Sequence, residues 1–165
     1  MATNNKQTKT SFCYPIIRVV VLFIVMGFST SLALASESSL RADPANSQQV
    51  ERGKKIYMRF CSLCHGRKLQ GQPQWHLPNS DGKMPAPPHD ETGHTWHHAD
   101  IVLFNITKYG LVPPHAPEGY QSDMPAWGET LKDEDIWAVL AFIKSRWPKE
   151  NLEFQKKINK DYKPF

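Results

Sequence analysis

The chain has 165 residues, of which 40% are hydrophobic and 22% are charged. This is an ordinary balance for a globular protein and enough chain for one domain. The formal charge of +4 suggests a nucleic-acid partner at first sight. However, residues 1–35 hold three basic and no acidic residues, so the remainder carries 17 basic and 16 acidic residues. That near-neutral remainder has no charge excess suited to phosphates, and we expect no nucleic-acid binding.

The N-terminal segment, residues 1–35, has the order of a secretory signal peptide. Basic residues precede an unbroken apolar run of ten residues at 19–28, and the segment ends in Ala-Leu-Ala at 33–35. The run is short of the roughly 20 residues that a membrane-spanning helix needs. We therefore predict export to the periplasm with cleavage after Ala35. The alternative is retention of the segment as an uncleaved membrane anchor.

Residues 36–46 are polar and are predicted to form a flexible lead-in to the folded domain. A first helix is predicted to start at Ser47, because apolar residues then recur at helical spacing, interrupted only by Gly53. This helix should end within residues 61–66. Residues 67–94 contain five prolines and no periodic pattern. Such a long irregular segment is unusual in a compact domain unless it wraps around something.

The second helix is predicted to start near Asp100, a good N-cap residue, and to end at Gly110. Its interior is apolar, and Lys108 lies in its last turn, where a positive charge is favourable. The next segment, residues 111–129, is predicted to be another proline-rich loop.

The third helix has the clearest pattern, with apolar residues at helical spacing from about Lys132 to Arg146. Thr130 and Asp133 are predicted to form a capping box at its start. Pro148 should end this helix and begin a short terminal helix within residues 148–165. No paired strands are predicted, so the fold class is all-α, with three to five helices joined by long loops.

Residues 61–65 read Cys-Ser-Leu-Cys-His, which is the C-x-x-C-H signature of covalent haem attachment. Two thiols on one short helical turn can add to the two vinyl groups of a haem and form thioethers. The imidazole of His65 then lies beneath the iron and can bind it through Nε2, while its other nitrogen donates to a backbone carbonyl. We therefore predict one haem c, attached at Cys61 and Cys64, with His65 as an axial iron ligand.

Two other kinds of site use neighbouring cysteines. A thioredoxin-like dithiol would require a preceding strand and a βαβ context, and neither pattern is present. A structural zinc site would require further ligands, and no other cysteine follows residue 35.

Several features together resemble a class I c-type cytochrome. They are Gly53, Tyr57, the run Cys-Ser-Leu-Cys-His-Gly at 61–66, the run Met-Pro-Ala-Trp at 124–127 and the helical pattern of residues 135–143. The resemblance implies that an N-terminal helix bearing a glycine crosses an aromatic-rich C-terminal helix, within a cytochrome c domain at 47–147. It also implies a haem in the crevice between these helices and the loops. A proline carbonyl, that of Pro85, Pro87 or Pro88, should accept from the axial histidine.

The resemblance also suggests the second axial ligand. Met124 lies in a loop before Pro125 and shortly before the C-terminal helix, as the distal methionine of the family does. Met84 and His115 are the rival candidates, whereas Met58 is expected to be a packing residue.

The function implied is transfer of single electrons between redox proteins, without catalysis. The crevice is expected to include the aromatic and aliphatic residues Tyr57, Phe60, Trp127, Ile136 and Leu140. Because the net charge is near zero, we expect weak and transient docking of partner proteins. One alternative is a haem-based gas or peroxide sensor, or a small haem enzyme, with a labile sixth ligand. Another is the cytochrome subunit of a larger oxidoreductase complex.

Four histidines, His89, His94, His97 and His98, cluster before the second helix. A zinc or copper site is conceivable, since imidazole suits both metals. We favour a simpler interpretation, in which they cap the second helix and form hydrogen bonds locally or with the haem propionates.

Overall fold

The computed structural model of the protein describes Met1 and residues 41–163. The predicted signal segment, apart from Met1, lies outside the described residues. The helices are α1 (Ser47–Phe60), α2 (Ser62–His65), a short 3-10 helix (Thr95–His97), α3 (Asp100–Tyr109), α4 (Asp133–Lys144) and α5 (Lys149–Asp161). Extended pairing within the described residues is limited to an isolated bridge between Met84 and Ser122. The prediction of an all-α fold with three to five helices is therefore confirmed.

Helices α1 and α4 cross in close contact, and Gly53 permits the approach. A Cβ atom added at Gly53 would lie 1.8 Å from the carbonyl oxygen of Ala138 in α4. Helix α1 starts where expected, since the side chain of Asn46 accepts a hydrogen bond from the amide of Gln49 at 3.0 Å. The crossing forms the centre of the core, in which Tyr57 and Ile136 are fully buried.

Asp100 does not cap α3, contrary to the prediction. Ala99 is the N-cap, and Asp100 is the first residue of the helix. Its carboxylate instead accepts hydrogen bonds from the buried Lys144 ammonium of α4, at 2.6 and 2.8 Å. The amide of Asp100 donates to Asn159 of α5 at 2.7 Å. Asp100 therefore joins α3 to α4 through its carboxylate and to α5 through its amide.

The predicted capping box of α4 is also wrong. The N-cap is Lys132, whose side chain makes no capping bond, so the helix runs from Asp133 to Lys144 rather than from Lys132 to Arg146. A capping box requires its threonine at the N-cap position, and Thr130 lies two residues too early. The carboxylate of Asp133 binds the Lys108 ammonium at 2.7 Å and so joins α4 to the end of α3.

The predicted terminal helix is present as α5 and follows an N-cap at Pro148. Gln155 of α5 is 1% exposed, and its side-chain amide donates to the carbonyl of His98 at 3.1 Å. The helix therefore holds the segment that precedes α3. In the described part of the chain, no helix is both long and apolar enough to span a membrane.

Candidate functional site

The C-x-x-C-H run lies at the junction of α1 and α2. The amide of Cys61 donates to the carbonyl of Tyr57, and the amide of His65 donates to that of Cys61, both at 2.9 Å. Helical hydrogen bonding thus continues through the junction and presents both cysteines on one short turn. Gly66 then ends the run with a φ of 80°, a conformation that favours glycine, and its carbonyl accepts from the Tyr57 hydroxyl at 2.9 Å.

His65 is buried, and its Nδ1 lies 2.9 Å from the carbonyl oxygen of Pro87. Because a carbonyl only accepts, Nδ1 carries the proton and Nε2 keeps its lone pair. Burial lowers the pKa of His65, although the bond to Pro87 acts in the opposite direction. The ring is therefore neutral at pH 7, which is the form that binds a metal. Of the three prolines considered, Pro87 is the acceptor.

Cys61 and Cys64 are free thiols, and Cys64 is exposed. Burial, with a smaller effect of the neighbouring Cys64, raises the pKa of Cys61 to about 12. A redox-active dithiol requires a lowered thiol pKa, so the environment of Cys61 is opposite to that of a thioredoxin-like site. The absence of a preceding strand in the described residues agrees with this distinction.

A cavity of about 300 Å³ lies beside these residues. Cys61, Cys64 and His65 form part of its wall. Apolar side chains contribute much of the rest, among them Phe60, Leu103, Ile106, Trp127, Leu140 and Ile143. The expected crevice is therefore partly right. The prediction was wrong for Tyr57 and Ile136, because both are fully buried in the core and neither lines the cavity.

Two methionines, Met84 and Met124, also line the cavity. Their segments are held together, since the amide of Met84 donates to the carbonyl of Gln121 at 3.1 Å. The third candidate ligand, His115, does not contribute to the cavity wall. Met58 packs against the core, as expected for a structural residue.

The loop that carries Met124 is fixed to its surroundings. The amide of Met124 donates to the hydroxyl of Ser122 at 3.1 Å. Further along, the amides of Trp127 and Gly128 donate to two carbonyls at the end of α3, at 3.0 and 2.9 Å. The Trp127 ring packs edge-on against Phe60, with 5.4 Å between centroids. These contacts hold Met124 at the cavity without a regular element.

The histidine cluster is divided between two environments. His94 and His98 line the cavity, with ring centroids 5.4 Å apart, whereas His97 packs on Trp96. Burial is the main cause that lowers the pKa of His98, and the charges of its histidine neighbours add to it. Within residues 41–163, no group of three or more histidine, cysteine, aspartate or glutamate side chains could hold a metal ion.

His89 has a role that sequence reasoning did not identify. Its ring stacks on that of His65, with 4.0 Å between centroids and 22° between planes. Its Nδ1 lies 2.8 Å from the Thr95 hydroxyl, and its carbonyl accepts from the Trp147 indole at 2.7 Å. Burial lowers the pKa of His89 well below its usual range. The only sequence signal was its position directly after Pro87 and Pro88.

The arrangement fits a covalently attached haem. Two thiols lie on one turn at the wall of an apolar cavity, next to a neutral imidazole whose Nε2 is free to bind iron. A thioether sulfur, the other ligand type that electron-transfer haems use, lies in the same wall.

A scan against protein-family models matches residues 50–147 to the family described as Cytochrome c. Comparisons with curated proteins and with solved structures gave no significant match. Cytochromes c carry covalently bound haem c and transfer electrons. The family match covers more than half of the chain and includes the C-x-x-C-H turn, α3 and α4. The chain therefore belongs to the cytochrome c family and is a haem-binding electron-transfer protein.

Proposed function

We propose that this chain is an exported mono-haem cytochrome that carries single electrons between redox proteins of the periplasm. Cys61 and Cys64 would form the two thioethers, and His65 Nε2 and the Met124 sulfur would be the iron ligands, since all four residues line one cavity. One observation carries the proposal: His65 Nδ1 donates to the Pro87 carbonyl at 2.9 Å. This bond leaves Nε2 unprotonated and able to bind a metal, in a cavity wall that His65 shares with both cysteines.

The residues around the cavity suit an electron carrier. Bound haem supplies the one-electron ferric–ferrous couple of its iron. The Pro87 carbonyl fixes the tautomer of His65 and raises its basicity as a ligand. The apolar lining excludes water and favours the lower charge of the reduced state, as does a thioether ligand. If His65 and Met124 both bound the iron, they would leave it no site for a substrate, which suits electron transfer rather than catalysis.

A single haem and export are supported by the sequence. The chain contains one C-x-x-C-H run, and its remaining cysteine, Cys13, lies in the predicted signal segment. The order of charge, apolar run and small residues in that segment supports delivery to the periplasm. A thioether link also prevents loss of the haem outside the cell.

Met124 is preferred to Met84 because its loop is fixed by the end of α3. Met84 binds the backbone of the Met124 loop and so supports that loop. We expect the ferric haem-loaded protein to show a low-spin spectrum with a thioether-to-iron charge-transfer band. The band should disappear in Met124→Ala and persist in the matched variant Met84→Ala. The reverse outcome would assign the ligand to Met84, and a high-spin native spectrum would favour a sensor or enzyme with an open site.

The surface next to Cys64 suggests the kind of partner. Lys55, Arg59 and Leu63 lie four residues apart along α1 and α2 and therefore share one helical face. Arg67 follows Leu63 at the same spacing, two residues after α2 ends. Leu63 is 94% exposed. Residues 52–80 contain six basic and no acidic residues, whereas the rest of the chain from residue 36 carries 11 basic and 16 acidic residues. We infer that a partner protein docks on this basic face with an acidic patch of its own, which surrounds an apolar contact with Leu63. This local charge complementarity operates although the net charge of the chain is near zero.

Small redox reagents of opposite charge test this docking face. Reduction by hexacyanoferrate(II) should slow as ionic strength rises, and reduction by hexaammineruthenium(II) should accelerate, because salt screens the local positive field. The double variant Arg59→Glu and Arg67→Glu should weaken or reverse both trends. The control variant, Lys156→Glu with Lys157→Glu, makes the same charge change on exposed residues of α5. It should leave both dependences of rate on ionic strength unchanged. If the two double variants show the same dependence of reduction rate on ionic strength, the basic face beside Cys64 is not the docking surface.

A further inference from the structure

The ring of His89 covers one face of the His65 ring. Their centroids are 4.0 Å apart and their planes differ by 22°, which is a stacked arrangement. In the ring plane, His65 Nδ1 donates a hydrogen bond to the Pro87 carbonyl. A single bond in the ring plane holds the position of Nδ1 but resists rotation of the plane only weakly. A second aromatic ring laid against its face restricts that rotation directly.

His89 is itself held at three points. Its amide donates to the carbonyl of Leu69 at 2.7 Å, and its carbonyl accepts from Trp147 at 2.7 Å. Its Nδ1 lies 2.8 Å from the hydroxyl of Thr95, which in turn donates to the Pro88 carbonyl at 3.3 Å. The Thr95 oxygen therefore accepts from Nδ1, and Thr95 is buried. The backbone of His89 is thus held by the loop after α2 and by the turn that follows α4, and its ring is held by the 3-10 helix.

We propose that His89 is a positioning residue that sets the plane of the axial imidazole of His65. The inference rests on the proposed function, since it takes His65 as an iron ligand. The orientation of an axial imidazole governs how its orbitals overlap with those of the iron, and so affects the magnetic properties and potential of the haem. His89 acts on the iron through His65, without binding the iron itself.

Two substitutions at one position separate stacking from space filling. His89→Phe keeps an aromatic ring against His65 but cannot donate to Thr95. His89→Leu fills similar space without a planar ring. A third variant, Thr95→Val, keeps the histidine and removes the hydroxyl that holds its ring. All three are made in the haem-loaded, exported protein.

The measurement is the proton NMR spectrum of the ferric protein, in which the spread of the shifted haem methyl signals reports the plane of the axial imidazole. We expect one sharp set of signals in the wild type and a similar spread in His89→Phe. In His89→Leu the spread should shrink, and the signals should broaden or double, because the His65 plane samples more than one orientation. Thr95→Val should broaden the signals to a smaller extent. The reduction potential should shift in His89→Leu and be restored in His89→Phe.

A purely structural role predicts a different pattern. His89→Leu and His89→Phe would then both lower the melting temperature while their methyl signals and potentials match the wild type, and this overturns the proposal. If the His89→Leu protein does not acquire haem, a Thr95→Val spectrum identical to that of the wild type also overturns the proposal. Failure of the proposed function is distinguishable, because the wild type would then show no covalently held haem with shifted methyl signals at all.

Discussion

Gly53→Ala tests the helix crossing on which the site is built. The added Cβ would lie 1.8 Å from the carbonyl oxygen of Ala138, 2.4 Å from its carbon and 2.9 Å from the amide nitrogen of Val139. All three are backbone atoms of α4, so no side chain can move aside. Reaching ordinary contact distances requires α1 and α4 to separate by roughly 1.5 Å, which weakens the packing along the crossing.

Two opposing effects decide the size of the change. Alanine is favoured over glycine inside a helix by about 1 kcal/mol. Overpacking of a rigid core contact costs about 3 kcal/mol, at the upper end of the usual range, because backbone must move. The net prediction is a loss of about 2 kcal/mol in the free energy of unfolding, or roughly 8 °C in the melting temperature.

Thermal and urea unfolding of the haem-loaded protein, followed by far-ultraviolet circular dichroism, measures this loss. The matched control is Lys54→Ala, an exposed substitution at the next residue of α1, which should stay within about 0.5 kcal/mol of the wild type. A Gly53→Ala protein as stable as the wild type, or more stable, would refute the close crossing, since only the helix-propensity gain would then be operating.

Two further predictions concern the surroundings of the site. Lys144→Met removes the cation from the buried ion pair with Asp100 and should lower the free energy of unfolding by about 2 kcal/mol or more, whereas Lys156→Met on the exposed face of α5 should not. Equal urea midpoints for these two variants would contradict the role given to the pair. The lowered pKa of His98 means that the unfolded chain binds the proton more tightly, so stability should be full above pH 6.5 and fall as pH decreases below it. One such group contributes at most about 1.4 kcal/mol per pH unit, and His98→Gln should flatten urea midpoints between pH 7 and pH 5.5; an unchanged slope would exclude His98 as a source.

Local sequence signals predicted the helices and the C-x-x-C-H turn, because helical periodicity and motif spacing act over a few residues. Contacts between distant segments were not predictable in the same way. The sequence predicts Asp100 as an N-cap because aspartate suits that position, yet the buried ammonium of Lys144, 44 residues away, binds its carboxylate. Propensity cannot reveal such a partner.

The functional site shows the same difference between local signals, which the sequence reveals, and contacts of distant segments, which it does not. The need for a carbonyl beside His65 followed from the chemistry of a metal-bound imidazole, but the choice of Pro87 among three prolines depended on the path of a long loop. His89 looked like one member of a polar cluster. Its separation from His97 arises because the chain turns at Thr95, so one ring enters the cavity wall while the other packs on Trp96.

The central claim is that both sulfurs of the C-x-x-C-H turn are bonded to haem. Trypsin cleaves after Arg59 and Arg67, so one peptide, residues 60–67, contains both cysteines and the axial histidine. Mass spectrometry of the mature protein should find this peptide heavier by one haem and resistant to thiol alkylation. Recovery of the peptide without added mass, with two alkylated cysteines, would contradict the account.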